Sequence, residues 1–218
     1  MNSRESLPLI ALARELGVRL RAEWGLKSVG LTLGISAFFA AYFRLLNHPA
    51  FPVTIMPVTA FDRLVGFHPE ALVLYVSLWL YVPLAFALQK NRRALRAPAG
   101  AAVLLAAIGL GIFFRWPTAV PDLGRAEEAH PLVAFLKTVD ASGNACPSLH
   151  VAFAVFAAVA LGRVLREVRA HGVVHLGNWL WCVGIVYSTL ATRQHVALDA
   201  LAGLALGAAV ALPRFSRA

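Results

Sequence analysis

The chain alternates between long apolar runs and short polar breaks. Runs of bilayer length, about 17 to 25 residues for a spanning helix, extend over residues 26–46, 70–88, 99–117, 149–165, 174–192 and 195–212. Ahead of the first run, Leu9, Ile10, Leu12, Leu16 and Leu20 are interleaved with Arg14, Glu15, Arg19, Arg21 and Glu23. That mixture predicts an amphipathic helix on the membrane surface, since a signal peptide would carry a clean apolar core. Between the first two runs, Asn47-His48-Pro49 and prolines 52, 57 and 69 mark a loop expected to hold a short interfacial helix. His48 and His68 within it read as exposed or capping residues. The longest polar stretch, 121–144, is expected to form a short helix over 130–140 before Ser142-Gly143-Asn144 breaks it, and could fold over a pocket. Gly203 and Gly207, four apart in the last run, read as helix-packing positions. The pattern as a whole predicts an all-α polytopic membrane protein: a six-transmembrane-helix bundle with an amphipathic N-terminal helix, in one membrane-embedded domain over 1–218.

Composition agrees, with 59% of 218 residues hydrophobic and only 14% charged, a balance rare in soluble domains. The formal charge of +9 would suggest a nucleic-acid partner in a soluble protein, but the positions of the twenty basic residues argue for lipid topology and no nucleic acid. Fourteen of them, from Arg4 through Lys27, Lys90 to Arg96, Arg163 to Arg169, and Arg214 with Arg217, fall on one side of the runs. Arg44, Arg63, Arg115, Arg125, Lys137 and Arg193 fall on the other, offset by Asp62, Asp122, Glu127, Glu128 and Asp140. The positive-inside rule then puts both termini in the cytoplasm and the loops after the third and fifth runs outside, on the periplasmic face of a bacterial inner membrane. Cys146 and Cys182 lie at different depths and are expected as free thiols.

Those two outer loops carry the chemistry. In Cys146-Pro147-Ser148-Leu149-His150, proline and serine mark a helix start, where a phosphate would meet free amides and a positive helix end. His195 and Asp199 are four apart at the start of the sixth run, so a carboxylate can fix the tautomer of the histidine and leave its other nitrogen free to attack. An aspartate one turn inside a membrane helix is a functional candidate by default. Arg193 adds a planar fork matched to phosphate. The plainer alternatives are that Ser148 only caps, that His150 only anchors at the interface, and that Arg193 and Asp199 form a structural ion pair.

These residues resemble the type 2 phosphatidic acid phosphatase superfamily, a six-helix family of lipid phosphatases and head-group transferases. Its Pro-Ser-x-His motif matches Pro147, Ser148 and His150, with Leu149 where glycine is usual. Its last motif, Ser-Arg, five residues, His, three residues, Asp, is matched by Ser188, His195 and Asp199. The resemblance implies His195 as nucleophile, Asp199 as its partner, His150 as general acid and Ser148 as a phosphate ligand. Thr189 stands in the motif's arginine position. Arg193, two residues before the histidine, resembles the inositol phosphorylceramide synthase-like branch, which transfers head groups to alcohols. The first family motif, Lys, six residues, Arg-Pro, is not intact around Trp116-Pro117; Arg115 is its nearest replacement, ahead of Arg125 and Lys137.

The sequence therefore reads as an integral membrane lipid-phosphate phosphatase working through a phosphohistidine on His195, with membrane lipids around it and a lipid phosphate as substrate. The second reading is a phosphotransferase passing the same group to inositol or another alcohol. No cofactor and no metal are expected, since the pocket supplies its own cationic and helix-end donors and lacks a dense carboxylate cluster. From another class, a membrane haem protein ligated by His150 and His195 would not need Ser148, Arg193 and Asp199 beside them. A small transporter would show spans broken near the midplane.

Overall fold

The computed structural model describes residues 6–122 and 143–215. The expected helix over 130–140, with Arg125 and Lys137, lies outside the described residues. Six helices are long and apolar enough to cross a membrane: Trp24–Asn47, Pro69–Ala87, Arg92–Arg115, Leu149–Glu167, Gly172–Ala191 and Ala197–Phe215. The protein is thus an all-α polytopic bundle, with each expected run found within a few residues. In chain order the elements are α1 (Leu9–Arg21), α2 (Trp24–Asn47), β1 (Thr54–Ile55), α3 (Ala60–Val65), a 3₁₀ turn (Pro69–Ala71), α4 (Leu72–Val76), α5 (Leu78–Ala87), α6 (Arg92–Arg115), β2 (Thr118–Ala119), α7 (Leu149–Glu167), α8 (Gly172–Ala191) and α9 (Ala197–Phe215).

Three boundaries differ from expectation. The second span is interrupted at Ser77, between α4 and α5, and Pro83 within α5 has no N–H to offer the Trp79 carbonyl. Helical bonding still runs through Ser77, from Ser77 N–H to Val73 O at 3.1 Å and from Tyr81 N–H to Ser77 O at 2.9 Å, so the span is not unwound there as a transporter's broken helix would be. α6 begins at Arg92, because the Asn91 side chain caps it by accepting the Ala94 N–H at 2.9 Å, and Arg92, Arg93 and Arg96 become part of the helix. α9 begins at Ala197, so His195 precedes the helix it was expected to open.

α7 is the axis of the bundle. Over its most apolar stretch 78% of residues are buried, against 6% for α2. Its alanines, including Ala152, Ala154, Ala157 and Ala158, are fully buried and let neighbouring helices approach. The closest is α9: a Cβ built on Gly203 would lie 2.3 Å from the Ser148 carbonyl oxygen, and one on Gly207 2.6 Å from that of Ala152. Both glycines are therefore packing positions, as the spacing indicated.

The basic residues gather at one end of the bundle. There α1 is tied down by Arg19, which is bonded to Glu15 and to Glu167 at 3.0 and 3.2 Å, while Lys90 approaches Glu167 at 3.5 Å and Arg92 bonds Glu23 at 2.9 Å. At the opposite end β1 pairs with β2 in parallel, which fastens the loop after α2 to the segment after α6. The motif residues lie at this second end.

Candidate active site

Two helix starts form the site. Ser148 is the N-cap of α7, its hydroxyl accepting the Val151 N–H at 3.3 Å, and Pro147 stands just before the cap rather than in the first turn. At the start of α9, Asp199 occupies the third helical position and accepts the Val196 N–H on Oδ1 at 2.9 Å, half of a capping box. The starts are locked together through the backbone, since the Ser148 N–H donates to the Asp199 carbonyl at 2.9 Å.

From this frame a chain of polar groups extends. Asp199 Oδ2 lies 2.9 Å from His195 Nδ1, His195 Nε2 lies 3.2 Å from His150 Nδ1, and His150 Nε2 lies 2.8 Å from the Tyr75 hydroxyl. A carboxylate only accepts, so His195 carries its proton on Nδ1 and presents a lone pair at Nε2. His150 then donates from Nδ1 to that lone pair. Asp199 is fully buried and His195 is 8% exposed, while His150 is half-buried. Both oxygens of Asp199 are engaged, by His195 and Val196, and among the described residues its ion pair is with His195 and not with Arg193.

The structure thus brings His150, His195, Asp199 and Ser148 together. Arg193 sits in a left-handed turn at φ 55°, with its guanidinium 5.5 Å from the Phe67 ring centre. Arg115, exposed at the end of α6, lies 4.8 Å from the Phe51 ring centre. Ser188 and Thr189 point their hydroxyls back to Ile185 O and Val186 O, at 2.7 and 2.8 Å. His48 ends α2 and is exposed, and His68 pairs with Glu70 at 2.9 Å, so both are the capping and surface residues expected. Among the described residues no group of three or more His, Cys, Asp or Glu side chains could hold a metal ion.

Sequence reasoning missed Tyr75 and Asp62. Tyr75, 2% exposed in α4, offered no signal beyond being one aromatic in an apolar run. Asp62 had a local one, since Thr59-Ala60-Phe61-Asp62 is a capping-box pattern, and both of its reciprocal bonds are present around α3. Its second bond was hidden: Oδ1 accepts the Ala197 N–H at 2.7 Å, so the outer loop holds the first turn of α9. Cys146 and Cys182 are free thiols as expected, and both are buried. Burial, and then the nearby Asp199 charge, push the Cys146 thiol up to about 11, which removes it as a nucleophile at neutral pH.

No curated protein and no solved structure matches the chain. A family model does: residues 115–216, which contain both motif halves and α7 to α9, match the PAP2 superfamily. Over these residues the chain is similar to the PAP2 superfamily, and the match supports a phosphatase or phosphotransferase character directed at phosphate esters.

Proposed function

We propose that the protein is a membrane lipid-phosphate phosphatase that works through a phosphohistidine on His195. The observation that carries this reading is the Asp199, His195, His150 chain, in which the nucleophilic nitrogen is oriented from one side and met by a proton donor on the other. A phosphate entering between the rings displaces the His150 to His195 bond. His195 Nε2 then forms a bond to phosphorus as the P–O bond to the lipid breaks. His150, charged at the outset, delivers its proton to the leaving oxygen and so releases the lipid alcohol. Water attacks the phosphohistidine, His150 takes the proton, and the P–N bond breaks to free phosphate.

Arg193, Ser148 and the start of α7 supply donors for the phosphoryl oxygens, where charge is held in the transition state. Arg115 is the candidate for the role of the missing first motif. The Tyr75 hydroxyl accepts the Nε2–H of protonated His150 and orients its ring. The site lies at the bundle end opposite the basic cluster, which supports an outward-facing site with both termini in the cytoplasm. Transfer to an alcohol uses the same intermediate, and the position of Arg193 favours keeping that acceptor in the assay.

The test is phosphate release over a panel of lipid phosphates, with and without inositol, together with an alkaline quench and mass spectrometry of the peptide bearing His195. A phosphorylated His195 and free phosphate support the reading. Turnover with no adduct in the wild type and full turnover in His195→Ala would overturn it. Vanadate, which adopts five-coordinate geometry beside a histidine, should compete with substrate.

A further inference from the structure

Asn144, two residues ahead of Cys146, is 5% exposed and lines the cavity onto which His150 and His195 open. Its backbone lies in the left-handed region at φ 52°, which asparagine tolerates better than most side chains. The β2 strand holds it from both sides. Ala119 bridges to Gly143, and the carbonyl and hydroxyl of Thr118 accept from the Ala145 and Cys146 N–H groups at 3.2 and 2.7 Å. The side-chain amide donates from Nδ2 to the Tyr42 carbonyl at 3.2 Å. A carbonyl only accepts, so this bond fixes which end of the amide is nitrogen and leaves Oδ1 as the atom turned the other way. Among the described residues no group donates to Oδ1.

A buried amide oxygen left unpaired is costly, and here it asks for a donor that arrives with the reaction. The histidine nitrogens are already directed elsewhere: His150 faces His195 through Nδ1 and Tyr75 through Nε2. A bound phosphoryl group presents acceptors, and a hydrocarbon tail presents neither donor nor acceptor. The remaining donor is the hydroxyl compound that attacks the phosphohistidine. We infer that Asn144 Oδ1 binds the acceptor of the phosphoryl group and selects one with two O–H bonds, water or a polyol, over a monohydric alcohol. The inference rests on the phosphohistidine reading above. In this step the acceptor oxygen bonds to phosphorus, and the P–N bond breaks with its electron pair returning to His195 Nε2. One O–H proton passes to His150 Nδ1, neutral after protonating the lipid alcohol. The second O–H stays intact and donates to Asn144, which turns a lone pair of the attacking oxygen toward phosphorus. Water carries that second hydrogen on the attacking oxygen, and a polyol carries it on the neighbouring hydroxyl. A monohydric alcohol gives its only O–H proton to His150 and leaves Oδ1 unpaired.

The test is competition between acceptors for one phosphoenzyme. Ethylene glycol and 1-propanol are matched in heavy atoms and differ by a hydroxyl in place of a methyl. Wild-type protein turning over a lipid phosphate in equal concentrations of both should form about tenfold or more hydroxyethyl phosphate than propyl phosphate, the scale on which a site rejects an analogue that leaves its buried polar group unpaired. Asn144→Gly, which suits the left-handed backbone, should bring the two products close to parity. Asn144→Asp keeps an acceptor oxygen in place and should keep the preference. Each ratio comes from one intermediate in one sample, so it does not depend on how much of a variant folds. Equal capture of the two alcohols by the wild type, or an unaltered preference in Asn144→Gly, would overturn the inference while phosphate release upholds the phosphatase reading. If the wild type forms free phosphate alone, entry of 1-propanol in Asn144→Gly supports the inference and continued exclusion of both alcohols overturns it. Absence of both phosphate release and alkyl phosphate would reject the phosphatase reading, and the acceptor site with it.

Discussion

Replacing Gly203 with alanine should pull the two halves of the active site apart. The added methyl would lie 2.3 Å from the Ser148 carbonyl oxygen and 3.1 Å from Val151 Cβ. The first neighbour is backbone, so no rotamer change relieves it. With ordinary contacts near 3.5 Å, α9 must withdraw from α7 by about 1 Å. Overpacking of this kind costs roughly 1–3 kcal/mol of stability. The consequence for chemistry is larger, because the displaced helices carry Ser148 and His150 on one side and Asp199 on the other. A misplacement of about 1 Å can lower a rate by about 10²-fold. Gly207→Ala meets the Ala152 carbonyl oxygen at 2.6 Å and should destabilise comparably, but it sits one turn farther from the histidines and should lose less rate. Gly109→Ala meets only the tip of Leu149, which can turn aside, and Gly30→Ala meets nothing within 4 Å. The assay is phosphate release from a lipid phosphate alongside denaturation in detergent for all four variants. Wild-type turnover and stability in Gly203→Ala would refute the close-contact argument, as would a rate loss in Gly30→Ala exceeding that in Gly203→Ala.

His195→Ala should abolish turnover in a folded, inserted protein, and His150→Ala should be severe for alkyl phosphates but mild for an activated aryl phosphate; equal losses on both substrates would remove His150 as the acid. Tyr75→Phe removes a bond to a group that is charged during turnover and should lower kcat by about 10- to 100-fold, as such bonds are worth about 1.5–3 kcal/mol; steady-state kinetics with unchanged rates would reduce Tyr75 to packing. Cys146, raised from 9.0 to about 11 by burial and then by Asp199, should resist N-ethylmaleimide at neutral pH. Because the folded state holds that proton more tightly, its contribution to stability is complete below pH 9.0 and is lost as pH rises through about 11, which denaturation curves across that range would register. For topology, Gln194→Cys in an otherwise cysteine-free background should label from outside intact cells and Asn91→Cys only after permeabilisation; the reverse pattern would put the chemistry in the cytoplasm.

The six spans were legible because bilayer length and apolar content are properties of contiguous sequence. The bond between His195 and Asp199 was legible for a similar reason: four residues at a helix start bring two side chains together without help from the rest of the fold. The bond survives although His195 lies outside α9, because the turn before the helix holds it in reach. Contacts made across the bundle were not legible. Tyr75 reaches His150 across 75 residues, and Asp62 reaches Ala197 across 135, through an arrangement of spans that no local pattern encodes. Thr189 shows the opposite case: in sequence it was a missing arginine, and in the structure it is a hydroxyl satisfied by its own helix.

The double engagement of Asp62 changes how the outer loop can be handled. Loops are ordinarily where insertions, tags and protease sites are tolerated. Here Thr54 and Met56 are paired to Pro117 and Ala119, His68 is bonded to Ala191, and Asp62 holds Ala197. Residues 54–68 therefore behave as part of the scaffold under His195, and an epitope spliced there should be felt as a loss of turnover. The stretch 49–53 is exposed, but Phe51 lies against Arg115 and Phe114, so a reporter or an affinity handle on this face belongs at 49–50, ahead of that ring.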